Sequence, residues 1–392
     1  MAAAQVDSIR SVIADALALA PLLEESALEA EKQRTMPRNI VDACVAARVF
    51  NLALPKSLGG RECDPLTIIR VIKRLSHADG SGGWTAMIGN TTMFTAWLQP
   101  EVARAILAQH PGAAMAGLLM PAGTAVPDGD GGFIVSGRWP FNSGAPHAAW
   151  FCSGIMVMDG DQPRMDPSGR PDWRLAFFPA SDVEMIDTWH AAGLKGTGSH
   201  DIAVKDLRVP EERTVAAFFG PARHEGPLYR MTLWSLLMTF MAGFPLGLAR
   251  RALDEFSALA KRKSRSLEGA VLADDAAIQV DVARAEADLQ AAQAFVFSAF
   301  TDAWNTLCEG SENSLEERTR MTMSVLHAIR ACTRVVDVAF HRCGGSALYD
   351  TNPLQRCFRD IHAAGQHIAF SLDTWKRVGK SLLGIEQSTF ML

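Results

Sequence analysis

The sequence predicts a mainly α-helical protein with a small β domain at its centre. Two long stretches rich in Ala and Leu, one towards each end of the chain, repeat their apolar residues at helical spacing. Between them, glycines and prolines separate short apolar or alternating runs, a pattern typical of strands and turns. The 392 residues also exceed what one core usually fills. We therefore expect an N-terminal helical domain (1–112), a central β domain (113–215) and a C-terminal helical bundle (216–392).

Composition and charge argue against nucleic acid and membranes as partners of this protein. A formal net charge of −5 without a long basic run argues against nucleic acid as a partner. The uncharged stretch 231–249 is interrupted by polar residues, glycines and a proline, which favours a buried bundle helix over a membrane span. The first twenty residues place acids within an apolar stretch and have no cationic lead. They predict an amphipathic helix and not a signal peptide.

The cysteines and histidines favour a reducing compartment and argue against a metal site. The seven cysteines are scattered and form no CxxC pair, as expected for reduced thiols. The ten histidines include no HExxH motif and no tight Cys/His cluster. We therefore expect a cytoplasmic protein without a metal.

The N-terminal domain is predicted to contain a series of helices. Residues 6–32 have helical spacing with Pro21 as a candidate break, and residues 37–47 continue that pattern. A further helix is expected over 64–78, where Asp64 can cap the first turn and Pro65 can occupy it. After the glycine-rich run 80–83, the next helix is expected to begin at Trp84.

The central domain is predicted to be a small antiparallel barrel or sandwich. Short apolar runs lie at 132–135, 150–152, 175–178 and 201–204. The run 127–132, PDGDGG, indicates a hairpin turn. Its glycines resemble a phosphate-binding loop, but no helix follows, which excludes a dinucleotide-binding motif.

The C-terminal part predicts a four-helix bundle from segments 230–263, 274–307, 315–340 and 353–383. In the last segment Asp360, Ala364, His367 and Ser371 have spacings that place them on one helix face. A small side chain at Ala364, with Gly365 beside it, leaves room for a flat ligand. The same pattern is also that of a surface helix with a solvated polar stripe, and the spacing alone leaves both interpretations open.

Two motifs of the β domain give the chain a family resemblance. The run 137–144, GRWPFNSG, is followed by Trp150, and the run 193–199, GLKGTGS, is followed by Val-Pro-Glu at 209–211. Together with the order of the three domains, these motifs resemble the acyl-CoA dehydrogenase superfamily along nearly the whole chain. The resemblance implies that Phe141 lies near a flavin ring and that the Ser143 hydroxyl binds flavin N5. It also implies that the final bundle closes the site and assembles tetramers.

The carboxylate base of an acyl-CoA dehydrogenase is missing from both positions that this superfamily uses. After the pair Arg359-Asp360 there is no Glu or Asp from 361 through 372. Before Ala242-Gly243 the corresponding residues are Leu237 and Met238. Proton abstraction next to a thioester carbonyl needs such a base close to the flavin.

The chain instead resembles the flavin-dependent monooxygenases built on this fold. The run 79–84, DGSGGW, and the pair Arg359-Asp360 followed by His367 match their pattern. The resemblance implies a homotetrameric oxygenase component that receives reduced FMN, or less favourably FAD, from a separate flavin reductase. With O2 the flavin would form a C4a-hydroperoxide that oxygenates a small hydrophobic aromatic substrate. Trp84, Phe141 and Trp189 would form aromatic walls, and His367 would act as an acid or base.

Other interpretations of these residues stay open at this point. Arg262 and Arg265, with Lys263 between them, are candidate ligands of the flavin phosphate or simply a solvated charge run. Gly344 and Gly345 could offer backbone N–H groups to a phosphate or form only a turn. The tryptophans are also common core residues. At the level of function, the alternatives are an acyl-CoA oxidoreductase with a non-standard base and a flavin-free scaffold.

Overall fold

The computed structural model describes residues 2–216, 218–264 and 271–392, and side chains from residue 10 onward. The N-terminal part is helical and consists of α1 (Ala2–Gln33), α2 (Arg38–Ala46), α3 (Pro65–Ala78), α4 (Gly80–Gly89) and α5 (Pro100–Gln109). Buried residues of these helices belong to the same hydrophobic cluster as those of the C-terminal bundle. The two helical parts of the chain therefore share one core.

Helix α1 passes through Pro21 without a break, so the candidate break at this residue was wrong. A proline inside a helix removes the hydrogen bond to the carbonyl four residues earlier. That carbonyl belongs to Leu17, whose side chain is 48% exposed. Because this face of the helix is in water, solvent can satisfy the carbonyl and the helix continues.

Helix α4 begins at Gly80 and not at Trp84, so the predicted start of this helix was wrong. The Asp79 carboxylate accepts a hydrogen bond from the Gly82 N–H at 2.8 Å and caps the helix. A Cβ atom at Gly80 would lie 2.5 Å from Oδ2 of Asp360. The glycines therefore belong to the helix, and they are needed for close packing and not for a loop.

The central domain is a mixed sheet and not the purely antiparallel one that we predicted. Its strands are β1 (Met115–Ala116), β2 (Pro121–Pro127), β3 (Gly132–Asn142), β4 (Trp150–Asp159), β5 (Gln162–Pro163), β6 (Trp173–Pro179), β7 (Glu184–Ile186), β8 (His200–Pro210) and β9 (Thr214–Val215). The order is β7-β8-β3-β2-β4-β6-β9, with β1 and β5 also paired to β4. Strands β1 and β2 run parallel to β4, while the other pairs are antiparallel.

The predicted hairpin between β2 and β3 is confirmed. Pro127 pairs with Phe133, and the Asp128 N–H donates to the Gly132 carbonyl at 3.0 Å. Trp139 of β3 is fully buried within a separate small core of the sheet. This packing fixes the end of β3, from which the candidate site begins.

The C-terminal part contains the predicted bundle, formed by α6 (Leu233–Ala260), α7 (Ala276–Cys308), α8 (Leu315–Cys343) and α9 (Pro353–Ala364), and followed by α10 (Leu372–Leu382). Helix α6 is long and apolar enough to cross a membrane by length and composition, but 89% of its most apolar window is buried inside the protein. Gly247 allows α6 to cross α3 closely, since a Cβ atom there would lie 2.1 Å from the Lys73 carbonyl oxygen.

The last predicted helix, 353–383, is in fact two helices. Asn352 caps α9 by accepting a hydrogen bond from the Leu354 N–H at 2.9 Å, and Pro353 occupies its first turn as predicted. The helix then ends at Ala364, and His367 caps a short 3-10 turn, Ile368–Phe370. The single polar helix face from Asp360 to Ser371 therefore does not exist, because the chain leaves the helix before His367.

Candidate active site

Three separate segments bring together Trp84, Ser143 and His367. Trp84 lies in α4, Ser143 directly follows β3, and His367 follows α9. The Trp84 indole Nε1–H donates a hydrogen bond to Ser143 Oγ at 3.0 Å. The Trp84 and His367 rings meet edge to face with their centroids 5.7 Å apart. Three residues that were predicted for one flavin site thus lie together, where the N-terminal, β and C-terminal parts of the chain meet.

Aromatic side chains form the wall of this site on the helical side. Phe244 of α6 packs edge to face against Trp84, with centroids 5.1 Å apart. His367 has Phe370 as a second aromatic neighbour, at 6.3 Å. Trp84, Phe244 and Phe370 are each less than 10% exposed. Such a wall excludes water from the space next to Ser143.

Behind Ser143, buried hydroxyl groups form a continuous hydrogen-bonded row. Ser143 Oγ lies 2.7 Å from Ser199 Oγ, which in turn lies 2.6 Å from Thr197 Oγ1. The Thr197 hydroxyl donates to the Leu194 carbonyl at 2.8 Å. The three hydroxyl-bearing side chains are buried. We call Thr197, Ser199 and Ser143 the hydroxyl row.

The half-buried His367 ring is neutral over the physiological range. Burial lowers the pKa of His367 to about 4. Its Nδ1 atom accepts a hydrogen bond from the Ala369 N–H at 3.2 Å. The proton of the neutral ring therefore resides on Nε2, which makes this atom a hydrogen-bond donor.

Phe141 and Trp189 form an open aromatic surface beside the buried part of the site. Phe141 is 66% exposed and holds a left-handed backbone conformation, with φ of 62°. Its ring meets that of the half-buried Trp189 edge to face, with centroids 6.4 Å apart. The Trp189 Nε1–H donates to the Leu194 carbonyl at 3.0 Å, which ties this surface to the hydroxyl row. An exposed phenylalanine in a strained conformation is unusual unless a ligand uses it.

A buried acidic residue connects the site to α9. Asp360 Oδ1 accepts a hydrogen bond from the Leu194 N–H at 2.6 Å. Burial, and next the neighbouring Asp79 carboxylate, raise the pKa of Asp360 to about 7. Asp79 itself lies 3.3 Å from the Arg356 guanidinium. Asp360 thus holds the loop that carries the start of the hydroxyl row.

The predicted phosphate ligands lie elsewhere in the chain. Lys263 Nζ donates to the Cys343 carbonyl at 2.7 Å and therefore sits beside Gly344 and Gly345, while the Arg262 side chain donates to the carbonyl of Ala258. Arg265 lies outside the described residues. The last residue of α6 lies about 24 Å along the helix from Phe244. Lys263 and the two glycines thus form a second group, well separated from Ser143.

The residues near Ser143 fit a flavin ring. The site offers a flat exposed aromatic surface at Phe141 and Trp189, and a buried hydroxyl at Ser143. Ser143 Oγ bonds to Trp84 and Ser199 only, among the described residues, so this hydroxyl can form one further hydrogen bond. A planar, largely apolar ring with polar edge atoms is the kind of ligand that uses both features.

Sequence reasoning did not identify Phe244, Thr197 and Ser199 as site residues. Phe244 lies in a uniformly apolar helix, where no spacing distinguishes it from core residues. Thr197 and Ser199 belong to the run 193–199, which indicated only a family resemblance. Their role becomes visible only when the loop folds back on Ser143.

The comparisons with known proteins agree with this geometry. Residues 6–108 match the N-terminal domain and residues 239–372 the C-terminal domain of the acyl-CoA dehydrogenase family. An indole-3-acetate monooxygenase of Pseudomonas putida is 34% identical over 91% of this chain and 89% of its own length. The oxygenase subunit HsaA of a flavin-dependent monooxygenase from Mycobacterium tuberculosis is 29% identical over 94% of each chain.

A solved structure supports the same assignment. The crystal structure of the HsaA monooxygenase from M. tuberculosis superimposes with a TM-score of 0.89 and 28% identity, covering 98% of this chain and 100% of that one. The absence of a carboxylate at both family positions of the dehydrogenase base agrees with an oxygenase. The chain belongs to the acyl-CoA dehydrogenase superfamily and, within it, to the oxygenase components of flavin-dependent monooxygenases.

Proposed function

We propose that this oxygenase component takes reduced flavin, FMN in preference to FAD, from a separate reductase and oxygenates an electron-rich aromatic ring. The observation that carries the proposal is the buried Ser143 hydroxyl, which can form one further hydrogen bond and lies beside aromatic side chains. The relatives named indole-3-acetate monooxygenase and resorcinol hydroxylase favour an indole or a phenol as substrate.

The protein residues hold the cofactor and keep its surroundings dry. Bound reduced flavin supplies the electrons that activate O2 and allow one oxygen atom to be transferred. Ser143 would orient the ring by a hydrogen bond, and Phe141 and Trp189 would offer it an aromatic surface. Trp84 and Phe244 exclude water from the buried side, which limits wasteful release of peroxide.

His367 is placed to bind an oxygen atom of the substrate or of the activated O2. Its Nε2–H donates, because Nδ1 already accepts from Ala369. A pKa of about 4 keeps the ring neutral, so it does not deliver a proton as an imidazolium near neutral pH. To accept a phenol proton at Nε2, the ring first has to transfer its own proton to Nδ1 and lose the bond to Ala369.

The dehydrogenase alternative is disfavoured by the environment of Asp360, an acid close to the site. Asp360 is fully buried and its Oδ1 accepts from the Leu194 N–H. A carboxyl group with no exposed surface does not reach a substrate carbon. We therefore favour oxygenation over abstraction of a proton next to a thioester.

We further propose a cytoplasmic homotetramer. Large apolar side chains are exposed in the C-terminal part, among them Leu348 (76%), Tyr349 (70%), Leu372 (85%) and Leu383 (76%). Burial against other copies would remove this surface from water. The group formed by Lys263 and Gly344 also lies too far along α6 to face the same flavin ring, which favours contact with a cofactor of a neighbouring copy. Sedimentation equilibrium should give the mass of four 42.4 kDa chains, and a monomer would contradict this proposal.

Oxygen labelling tests the proposed reaction. The protein, a flavin reductase and NADH are incubated with indole-3-acetate or resorcinol under ¹⁸O2, and the products are analysed by mass spectrometry. We expect one ¹⁸O atom in the product, and less product with more H2O2 in Ser143→Ala, because that variant orients the ring poorly. Oxidation of acyl-CoA thioesters with a dye acceptor, and no labelled aromatic product, would favour the dehydrogenase alternative.

A further inference from the structure

We propose that Ser199 and Thr197 are positioning residues that hold the Ser143 hydroxyl as a hydrogen-bond acceptor, so that the site prefers reduced over oxidised flavin. This inference rests on the proposed function, in which Ser143 bonds to the edge of the flavin, and on the family resemblance, which implies that the edge atom is N5. It adds that the direction of the hydrogen bonds behind Ser143 selects the redox state of the ring.

The direction of each bond in the hydroxyl row follows from its two ends. At one end the Leu194 carbonyl oxygen can only accept, so the single Thr197 hydroxyl proton points to it. The Ser199 hydroxyl must then donate to Thr197 Oγ1, at 2.6 Å. Its proton is thereby used, so the Ser143 hydroxyl must donate to Ser199 Oγ, at 2.7 Å. All three protons point away from the ligand space.

At the other end of the row, Trp84 occupies one of the two lone pairs of Ser143. The indole Nε1–H can only donate, and it donates to Ser143 Oγ at 3.0 Å. Ser143 therefore gives its one proton to Ser199 and receives one from Trp84. The remaining lone pair of Ser143 can only accept a hydrogen bond from a ligand.

Burial and the fixed position of the Leu194 carbonyl keep the hydrogen bonds of the hydroxyl row from changing direction. Thr197 is fully buried, and Ser199 and Ser143 are 3% and 6% exposed, so water has little access to exchange partners with them. The Leu194 carbonyl that ends the row also accepts from the Trp189 Nε1–H, and the Leu194 N–H donates to Asp360. The acceptor that sets the polarity is therefore held from two sides.

The two redox states of a flavin differ at the atom that faces such an acceptor. In reduced flavin N5 carries a hydrogen and can donate to Ser143 Oγ. In oxidised flavin N5 carries a lone pair, so two acceptors would face each other in a site that water does not reach. A buried acceptor without a donor is costly. We expect the dissociation constant of oxidised FMN to exceed that of reduced FMN by about tenfold or more.

Anaerobic titration of the full-length protein with reduced and with oxidised FMN tests the inference. Ser199→Ala removes the acceptor of the Ser143 proton, and Thr197→Val removes the acceptor of the Ser199 proton with little change in shape. Either variant frees the Ser143 hydroxyl to turn towards the ligand. We expect the ratio of the two dissociation constants to fall by about tenfold in both, chiefly through tighter binding of oxidised FMN.

Two control variants separate this effect from a general loss of packing. Ser153→Ala removes a fully buried hydroxyl of β4 that has no hydrogen-bond partner among the described residues, and it should leave the ratio unchanged. Thr197→Ser keeps the hydroxyl and should retain the wild-type ratio. Thermal unfolding of each variant verifies that it is folded.

The possible outcomes separate this inference from the proposed function. An unchanged ratio in folded Ser199→Ala and Thr197→Val would overturn the positioning role while flavin binding stands. Equal affinity of the wild-type protein for both redox states would overturn the selection and leave the oxygenase function intact. Failure of the wild-type protein to bind either form of FMN, and of FAD in the same titration, would overturn both.

Discussion

Asp360 should make the stability of this protein depend on pH in a direction that the structure fixes. Burial, with Asp79 and Glu31 as like charges, raises the pKa of its carboxyl group from 3.8 to about 7. The Leu194 N–H and Arg359 lower that pKa without offsetting the rise. Because the folded-state pKa is the higher one, the folded protein binds a proton that the unfolded chain releases. This contribution to stability is complete below about pH 4 and is lost as the pH rises through 7.

The size of the effect follows from these two pKa values. Between pH 6 and pH 8 the linkage relation gives a loss of about 1.4 kcal/mol in the free energy of unfolding from this group. For a chain of this length that corresponds to a fall in Tm of roughly 1–3 °C. Asp360→Asn is neutral at every pH and keeps an oxygen that can accept from the Leu194 N–H, so it should abolish this part of the pH dependence.

Calorimetric melting of the wild type and Asp360→Asn at pH 6 and pH 8, at equal ionic strength and protein concentration, measures the difference. The expected result is a larger fall in Tm between the two pH values for the wild type than for the variant. Asp161→Asn, at an exposed turn after β4, is the matched control and should behave as the wild type. If Asp360→Asn shows the same pH dependence as the wild type, the carboxyl group is ionised throughout and our reasoning is refuted.

Two further predictions concern packing and the state of the histidine. Gly247→Ala places a Cβ atom 2.1 Å from the Lys73 carbonyl oxygen and should lower the free energy of unfolding by about 2–3 kcal/mol. Gly379→Ala in α10, where no atom lies within 4 Å, should raise it by about 0.5–1 kcal/mol, and equal melting temperatures for the two variants would contradict the close helix crossing. Because burial lowers the pKa of His367 to about 4, its Cε1–H NMR signal, assigned by its loss in His367→Gln, should not titrate between pH 5.5 and 8. A midpoint near 6.5 would show a solvated ring.

The sequence was sufficient to predict the order of the helical and β parts, because that order depends on the local periodicity of apolar residues. It was also sufficient to select Trp84, Ser143 and His367, which the fold brings into contact from three distant segments. Predictions from the local sequence pattern were wrong where a tertiary contact determines the secondary structure. The glycines before Trp84 look like a loop, but they belong to a helix because Asp360 packs against Gly80.

The end of α9 shows the same limit of sequence reasoning. Helical spacing predicted that His367 and Asp360 lie on the same face of one helix. That prediction requires the helix to continue to Ser371. Instead the helix stops at Ala364, and the His367 side chain caps a new turn through Ala369. Because the helix ends between them, the two side chains have different contacts. His367 faces Trp84, while Asp360 faces the loop at Leu194.

That separation leaves the Arg359-Asp360 pair with a structural task of its own. In this chain the Arg359 side chain donates to the Ala192 carbonyl, and Asp360 accepts from the Leu194 N–H, so both residues bind the backbone of one loop. The same loop ends the hydroxyl row at the Leu194 carbonyl. The pair thus supports the loop that anchors Ser143 through Thr197 and Ser199. Under the function that we propose, His367 and not this pair would contact the substrate, because Asp360 is fully buried whereas the His367 ring is only half-buried and packs against Trp84.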